Sequence, residues 1–190
     1  MEPNARSEFV AISMETSPAE IRSFDEIVQL YWPRIFRFML ASVHDRHQAQ
    51  DLTQDCFCKA YKGWRRFRGD SSVHTWLMRI AVNVVKDFAR NRRLQFWRRA
   101  PSMDAASIEN WLLDVNLSPE ASLMARDNIR AIWEAVKSVS PQQRTAFLLR
   151  FVEGMEMAEI AAAMGITQGA VKVHLFRAVQ AVRKRLRISK

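Results

Sequence analysis

Glycine and proline are scarce in this chain, five and six residues out of 190. With few turn-forming positions and no strand-like alternation, a sheet-rich fold is excluded and an almost entirely helical chain is expected. Cysteine is scarcer still. Cys56 and Cys58 lie two apart on a predicted helix, so they point in different directions and do not readily form an unstrained disulfide with each other. No second pair exists to complete a zinc site. Reduced structural thiols in a cytoplasmic protein are the expectation. No apolar run approaches the roughly 18 residues needed to span a bilayer, and a basic-then-apolar signal pattern is missing at the N-terminus. Direct membrane insertion is therefore not expected. A nucleophile–base pattern and a phosphate-cradling glycine loop are also missing, so the chain is read as no enzyme, with no cofactor and no metal. One enzymatic rival remains, a metal-dependent nuclease built on His44, His47 and Asp51, whose spacings of three and four could share a helix face. Solvated polar residues at a helix start explain those three more simply.

What is abundant is positive charge, a formal +9. That sign suits a polyanion, either nucleic acid or an anionic membrane surface. The charge falls in two blocks. Lys86 to Arg99 carries six basic residues against one acid, Asp87, and Gly165 to Lys190 carries seven with none. The stretch between, Pro101 to Glu156, is richer in acids than in bases. Two separate contacts with a polyanion follow.

Apolar periodicity divides the chain. Residues 1–22 show no sustained period and read as a loose tail. Ser23 is placed to cap a helix with the stripe Ile27, Leu30, Tyr31, Ile35, Phe38 and Met39, and Pro33 as a kink point. After a turn near His44 and Asp45, a second helix spans His47 to Trp64 with Leu52, Cys56, Ala60 and Trp64 inward. The loop Phe67 to Ser72 is built around Gly69. Ser71 or Ser72 then caps a helix from Val73 to about Arg93, whose stripe is Trp76, Ile80, Val84 and Phe88, with Leu77 and Ala81 beside it. The pattern lapses over 95–122, read as a flexible linker between two small helical domains, 23–94 and 123–190. Trp111 in that linker is either an anchor on a partner or a local contact. Beyond it come Met124, Ile129, Ile132, Trp133 and Val136, then a helix opened by Ser140-Pro141 with Phe147, Leu148 and Phe151 as its apolar face.

The most informative stretch is EGMEMAEIAAAMGITQGAVKVHLFRAVQAVRKRL, Glu153 to Leu186. It reads as a short helix, Met157 to Met164, a left-handed turn at Gly165, and a second helix capped by Thr167. Val171, Leu175, Ala178 and Val182 recur at helical spacing and pack back. Gln168, Lys172, His174, Arg177 and Gln180 occupy the opposite face, as a helix lying in the DNA major groove requires. An ordinary helical hairpin with a solvated basic face is the plainer alternative.

The first domain offers two unlike surfaces. Asp51, Gln54 and Asp55 put acids at i and i+4 on one exposed helix face, suited to a basic protein partner. The next helix interleaves Trp76, Arg79, Asn83, Lys86, Asp87 and Arg90 with core positions, a pattern that suits unpaired bases. Trp76 is read first as core, with base stacking the alternative. The loop between, with Arg68, Asp70 and its hydroxyls, could form a pocket for a base rotated out of the stack.

These residues carry a family resemblance. DLTQDCF with FRGDSSVHTWLMRIAVN resembles region 2 of a bacterial sigma factor, and LSPEASLMARDN with SPQQRTAFLLRFVEGMEMAEIAAAMGITQGAVKVHLFRAVQAVRKRL resembles the lead-in and region 4. With only two regions and a short linker, the chain is similar to the extracytoplasmic-function group, over roughly Phe24 to Leu186. The resemblance implies a factor that binds core RNA polymerase, through its largest and second-largest subunits, and directs it to promoters. It implies a polymerase-docking helix with Asp51, Gln54, Asp55 and Phe57. A −10 surface would hold Phe67, Arg68, Asp70, Ser71, Trp76, Asn83, Lys86 and Arg90. A −35 surface would hold Thr167, Gln168, Lys172, Val173, Phe176 and Arg177. Phe147, Leu148 and Phe151 would lie where region 4 packs on itself and on the flap of the second-largest subunit, and the linker would thread towards the active-site channel. An anti-sigma factor, in a stress or envelope/metal response, is the implied regulator. The chain departs from the family at Gln50, where an acid is common, and at Val173 and His174, where a small polar residue and an arginine are common. Val173 can meet a thymine methyl but donates no hydrogen bond, so the −35 sequence it prefers stays open. The binding-module rival is a stand-alone helix-turn-helix regulator, which would need a dimer surface and would bind its operator without polymerase.

Overall fold

Ser23 opens the first helix by accepting the Glu26 amide on its hydroxyl at 3.3 Å, with Asp25 and Glu26 favouring the positive end of the helix. In the computed structural model, residues 23–95 and 119–188 are described, with side chains over 23–91 and 129–186. The tail 1–22, Trp111 and most of the expected linker lie outside the described residues, as do the side chains of Met124 and of the arginines from Arg92 to Arg99. The elements are α1 (Phe24–Val43), α2 (Arg46–Trp64), α3 (Val73–Gln95), α4 (Pro119–Ser138), α5 (Pro141–Phe147) running into a π-helical turn (Leu148–Val152), α6 (Met157–Met164) and α7 (Gln168–Ile188). The described residues contain no strand. Helix α4 begins at Pro119, inside the stretch expected to be linker.

α1 runs through Pro33 and ends on His44 in the left-handed region, φ 58, whose amide donates to Leu40 O. Asp45 follows at once as the N-cap of α2, accepting from the Gln48 amide at 2.9 Å, so α2 starts one residue before His47. Ile27, Tyr31, Ile35, Phe38 and Met39 are buried as expected, but Leu30 is exposed. The buried face continues instead through Leu40, Ala41 and Val43, because the C-terminal half of α1 packs against α5 and the π-helical turn. Ser72, not Ser71, caps α3 by accepting the Thr75 amide at 3.1 Å.

α3 corrects the expected stripe. Leu77, Ala81 and Val84 are buried, but Trp76, Ile80 and Phe88 only partly so. Met78 and Val82 are fully buried instead. The cause is burial on two sides: α3 packs on α1 and α2 by one face and on α6 by another. Positions 75, 78, 82 and 86 share a helical face. Both ends of that face are tied to α6, by Thr75 Oγ1 donating to Glu159 Oε1 and by Lys86 Nζ donating to Met164 O, each 2.6 Å.

The second correction lies at the end of α5. Ser140 and Gln143 form a reciprocal capping box, with Pro141 at the first turn. Phe147 and Leu148 are buried as expected, whereas Phe151 is 58% exposed and Leu149 is buried. A π-helical turn carries an extra residue relative to α-helix, here closed by Glu153 N donating to Leu148 O at 3.0 Å. The apolar phase therefore shifts between Leu148 and Phe151.

The two halves of the chain share one core: buried residues of α1–α3 and of α4–α7 join in a single apolar cluster. Polar ties cross the seam. Arg144 donates to Val136 O (3.1 Å) and Lys137 O (2.6 Å) at the end of α4, and to Ser42 O (3.1 Å) near the end of α1. Glu153, 4% exposed, places its carboxylate among Arg34 Nε (3.3 Å), Arg37 Nε (3.1 Å) and His74 Nε2 (3.4 Å). Burial by itself would raise the Glu153 pKa. The hydrogen bond to His74 and the charges of Arg37 and Arg34 outweigh it and hold the carboxyl below its ordinary value.

His44 sits at the same seam with both ring nitrogens buried and unbonded. Burial first, then the charges of Arg144 and Lys137 against the opposing Glu134, push its pKa from 6.5 down to about 4. The folded chain resists a proton that the unfolded chain accepts. The His44 contribution is thus complete above pH 6.5 and lost as pH falls towards about 4. In His44→Asn, where asparagine tolerates the left-handed backbone, the urea midpoint should fall less across that window than in the parent. Equal pH dependence in both proteins would exclude His44 as a source. The thiols give a second expectation. Burial pushes Cys56 up to about 12, whereas Cys58 is exposed. A thiol reagent should titrate Cys58 promptly in the native protein and Cys56 only after denaturation.

Candidate nucleic-acid interface

The helix-turn-helix forms as its residues require. Gly165 adopts φ 67, and its amide closes α6 on Ala161 O. Thr167 Oγ1 accepts the Ala170 amide at 3.2 Å, starting α7. Val171, Leu175, Ala178 and Val182 are buried, as are Ile160, Ala161 and Met164 across from them. The outward face of α7 is a band of Gln168, Lys172, Val173, Phe176, Arg177 and Gln180, all exposed, with Phe176 at 65% and Val173 at 47%. The band thus pairs cations and amides with two large apolar side chains, complementary to phosphates, base edges and thymine methyls. His174 leaves that face: it is half-buried and its Nδ1 is buried without a hydrogen-bond partner. The Thr167 hydroxyl is committed to its cap.

A second cationic stripe lies on α3. Arg79, Asn83, Lys86 and Arg90 are exposed at spacings of four, three and four, which is one helical face. Arg90 is held at 3.0 Å by Asp87, which also meets Lys59 at 3.6 Å. Lys86 is turned to the C-terminal carbonyl of α6, where the negative end of a helix attracts a cation. At the head of this stripe, Arg68 and Asp70 are exposed on the loop around Gly69, φ 76, and Ser71 is half-buried. Phe67, Trp64 and Trp76 form a half-buried ring cluster beneath them, Phe67 lying 5.6 Å from Trp64 and 5.0 Å from Trp76. Trp76 is therefore neither sealed in the core nor an open platform; its ring supports the loop.

On α2, Asp51, Gln54 and Asp55 are exposed on a common face. Phe57 does not share it. It is 5% exposed and stacks on Trp32 at 5.5 Å, so it shapes the helix from behind. His44 closes α1 rather than riding on α2 beside His47 and Asp51, and the described residues hold no group of His, Cys, Asp or Glu arranged to bind a metal. Sequence reasoning missed the seam residues Arg34, Arg37, His74, Arg144 and Glu153. The one available signal was Glu153 itself, an acid directly after LLRFV, a run apolar but for Arg150.

The Sigma-70 region 2 family matches residues 27–95 and the Sigma-70 region 4 family matches 129–182. The RNA polymerase sigma-H factor of Pseudomonas aeruginosa is 36% identical over 173 residues, 87% of this chain and 86% of the relative. The ECF RNA polymerase sigma-E factor of Escherichia coli K12 is 34% identical over 138 residues, 70% of each chain. The same fold occurs in the sigma factor RpoE of Bartonella quintana, solved with the anti-sigma factor NepR (TM-score 0.68, 22% identity, 90% of this chain and 100% of that one). It occurs again in CnrH, solved with the cytosolic domain of CnrY (TM-score 0.61, 20% identity, 88% and 89%). The chain belongs to the extracytoplasmic-function group of the sigma-70 family, and is a transcription initiation factor rather than an enzyme.

Gly165 provides a test of the turn. A Cβ there would meet nothing within 4 Å, so the cost of Gly165→Ala is the left-handed backbone alone. Urea unfolding should show a loss of about 1–2 kcal/mol. No loss would mean that the turn relaxes away from φ 67.

Proposed function

We propose that this protein binds core RNA polymerase through the acidic face of α2 and directs it to promoters with two separate DNA readers. The −10 reader is the loop with Phe67, Arg68, Asp70 and Ser71 together with Trp76, Asn83, Lys86 and Arg90, within a unit spanning 23–94. The −35 reader is the α7 band with Gln168, Lys172, Val173, Phe176 and Arg177, started by Thr167, within a unit spanning 123–190. One observation carries the reading: an acid-bearing face on α2 and two cationic faces on α3 and α7 stand on three different helices. A protein partner and two stretches of polyanion can then be held at once, and linking two weak readers makes the second contact effectively intramolecular. Exposed Phe151 beside Phe147, ring centres 4.7 Å apart, supports a docking role on the second-largest subunit. Solved relatives carry anti-sigma factors, which supports an anti-sigma partner here, in a cytoplasmic stress or envelope/metal response. No described helix is long and apolar enough to cross a membrane.

The decisive experiment is transcription in vitro from genomic fragments of the source organism, with core polymerase and this protein supplied singly and together. New start sites that share −10 and −35 sequences should require both. Asp51→Lys with Asp55→Lys should abolish them by loss of polymerase binding. Arg177→Ala should weaken initiation about tenfold or more, the scale of 1–3 kcal/mol for an arginine–base contact, with polymerase binding intact. Operator binding by the protein alone, with no polymerase binding and no new start sites, would establish the stand-alone regulator instead.

A further inference from the structure

We propose that Val173 makes the C5 methyl of a pyrimidine the feature that α7 selects in the −35 element, with Phe176 reading a second methyl beside it. The inference rests on the reading of α7 as the −35 reader and names what that surface recognises. Among the described residues, five large apolar side chains are exposed, and two of them, Val173 and Phe176, stand three residues apart on α7 at 47% and 65% exposure. The core does not use either, since Val171, Leu175, Ala178 and Val182 fill the inward positions. Lys172 and Arg177 flank the pair, and Gly165 to Lys190 carries seven basic residues with no acid. A face so charged meets a polyanion rather than an apolar protein patch. Val173 also stands where the family commonly has a small polar residue, so this contact is a property of this chain.

Base chemistry narrows the contact. In the major groove guanine, adenine and cytosine show hydrogen-bonding atoms, and thymine alone adds an apolar group, its C5 methyl. A valine or phenyl side chain set over an amino group or a carbonyl oxygen strips its water and offers no bond in return. Over the methyl it buries apolar surface on both sides. Side chains three apart on a helix have Cβ atoms about 5–6 Å apart, and bases along one strand are spaced at about 3.4 Å. Val173 and Phe176 therefore reach neighbouring pyrimidines. His174 does not compete for them, being half-buried with Nδ1 buried and unbonded. Hydrogen-bond readout is left to Gln168, Lys172 and Arg177, which are exposed around the pair. A methyl contact sees no difference between thymine and 5-methylcytosine. Cytosine methylation at the Val173 position therefore strengthens binding to the −35 element.

The test uses the holoenzyme, core polymerase with this protein, on a promoter recovered by transcription from genomic fragments. Each −35 thymine is replaced in turn by uracil, which removes the methyl and leaves every hydrogen bond. At two adjacent positions affinity should fall about fourfold, the worth of one buried methyl-sized group. Val173→Ala, a change at an exposed site, should erase the preference for thymine over uracil at one of them, and Phe176→Ala at the other. At the Val173 position, 5-methylcytosine opposite guanine should bind about fourfold more tightly than cytosine. The proposal is overturned if the element holds no thymine or tolerates uracil throughout. It is equally overturned if Val173→Ala keeps the full preference, or if cytosine and 5-methylcytosine bind alike. Arg177→Ala separates this from the reading beneath it. Weakened −35 binding in that variant, with no uracil effect in the parent, sinks the methyl contact alone. No effect of either change sinks α7 as the −35 reader.

Discussion

The arrangement turns on one buried carboxylate. A charge removed from water is costly unless its partners replace the lost solvation, and Glu153 gains them only from residues over a hundred positions earlier in Arg34 and Arg37, and from His74. Among the described residues, no side chain of its own half neutralises it. The sign of its pKa shift shows the outcome: burial pushes one way, and three partners push further the other way. The contacts of α3 with α6 and of α1 with α5 are set in register by this carboxylate together with Thr75–Glu159, Lys86–Met164 O and Arg144–Ser42 O, over a shared apolar core.

Local structure was readable from local chemistry. Ser23, Ser140, Gly165 and Thr167 take the capping and turn roles that their side chains dictate, and the apolar period of α7 was correct at each of its four inward positions. The two cationic faces and the acidic one were also legible, since exposed charge repeats at helical spacing. What could not be read was whatever depends on the halves meeting. Met78 and Val82 look like flank positions until α6 covers them, and Leu30 looks like core but stays exposed among the described residues. His174 fits a surface pattern by spacing and Phe57 joined the docking helix by resemblance, yet Phe57 is drawn inward against Trp32 and His174 is half-buried. No periodicity within one helix reports what another brings to it.

The aromatic cluster beneath the Phe67–Ser72 loop links these levels. Trp64 ends α2, Trp76 begins α3 and Phe67 lies between them, so the rings that cement the helix pair also hold up the loop. A recognition loop placed on such a base keeps its backbone aim while its outer residues, Arg68 and Asp70, remain solvated. The same economy appears in Arg144, which closes the end of α4 and grips α1 with a single guanidinium.

The π-helical turn ties the aim of that carboxylate to chain length. Helix advances by about 100° per residue, so a one-codon deletion between Leu148 and Val152 that left the π-helical turn in place would swing everything after it by about that angle. Glu153 would turn away from Arg34 and Arg37, and Phe151 would change faces with it. Substitutions in this turn alter a side chain at a time, whereas a single indel there would rewrite the relation between the two halves at one stroke. The length of this five-residue segment is therefore as much a determinant of the protein as the identity of any residue in it.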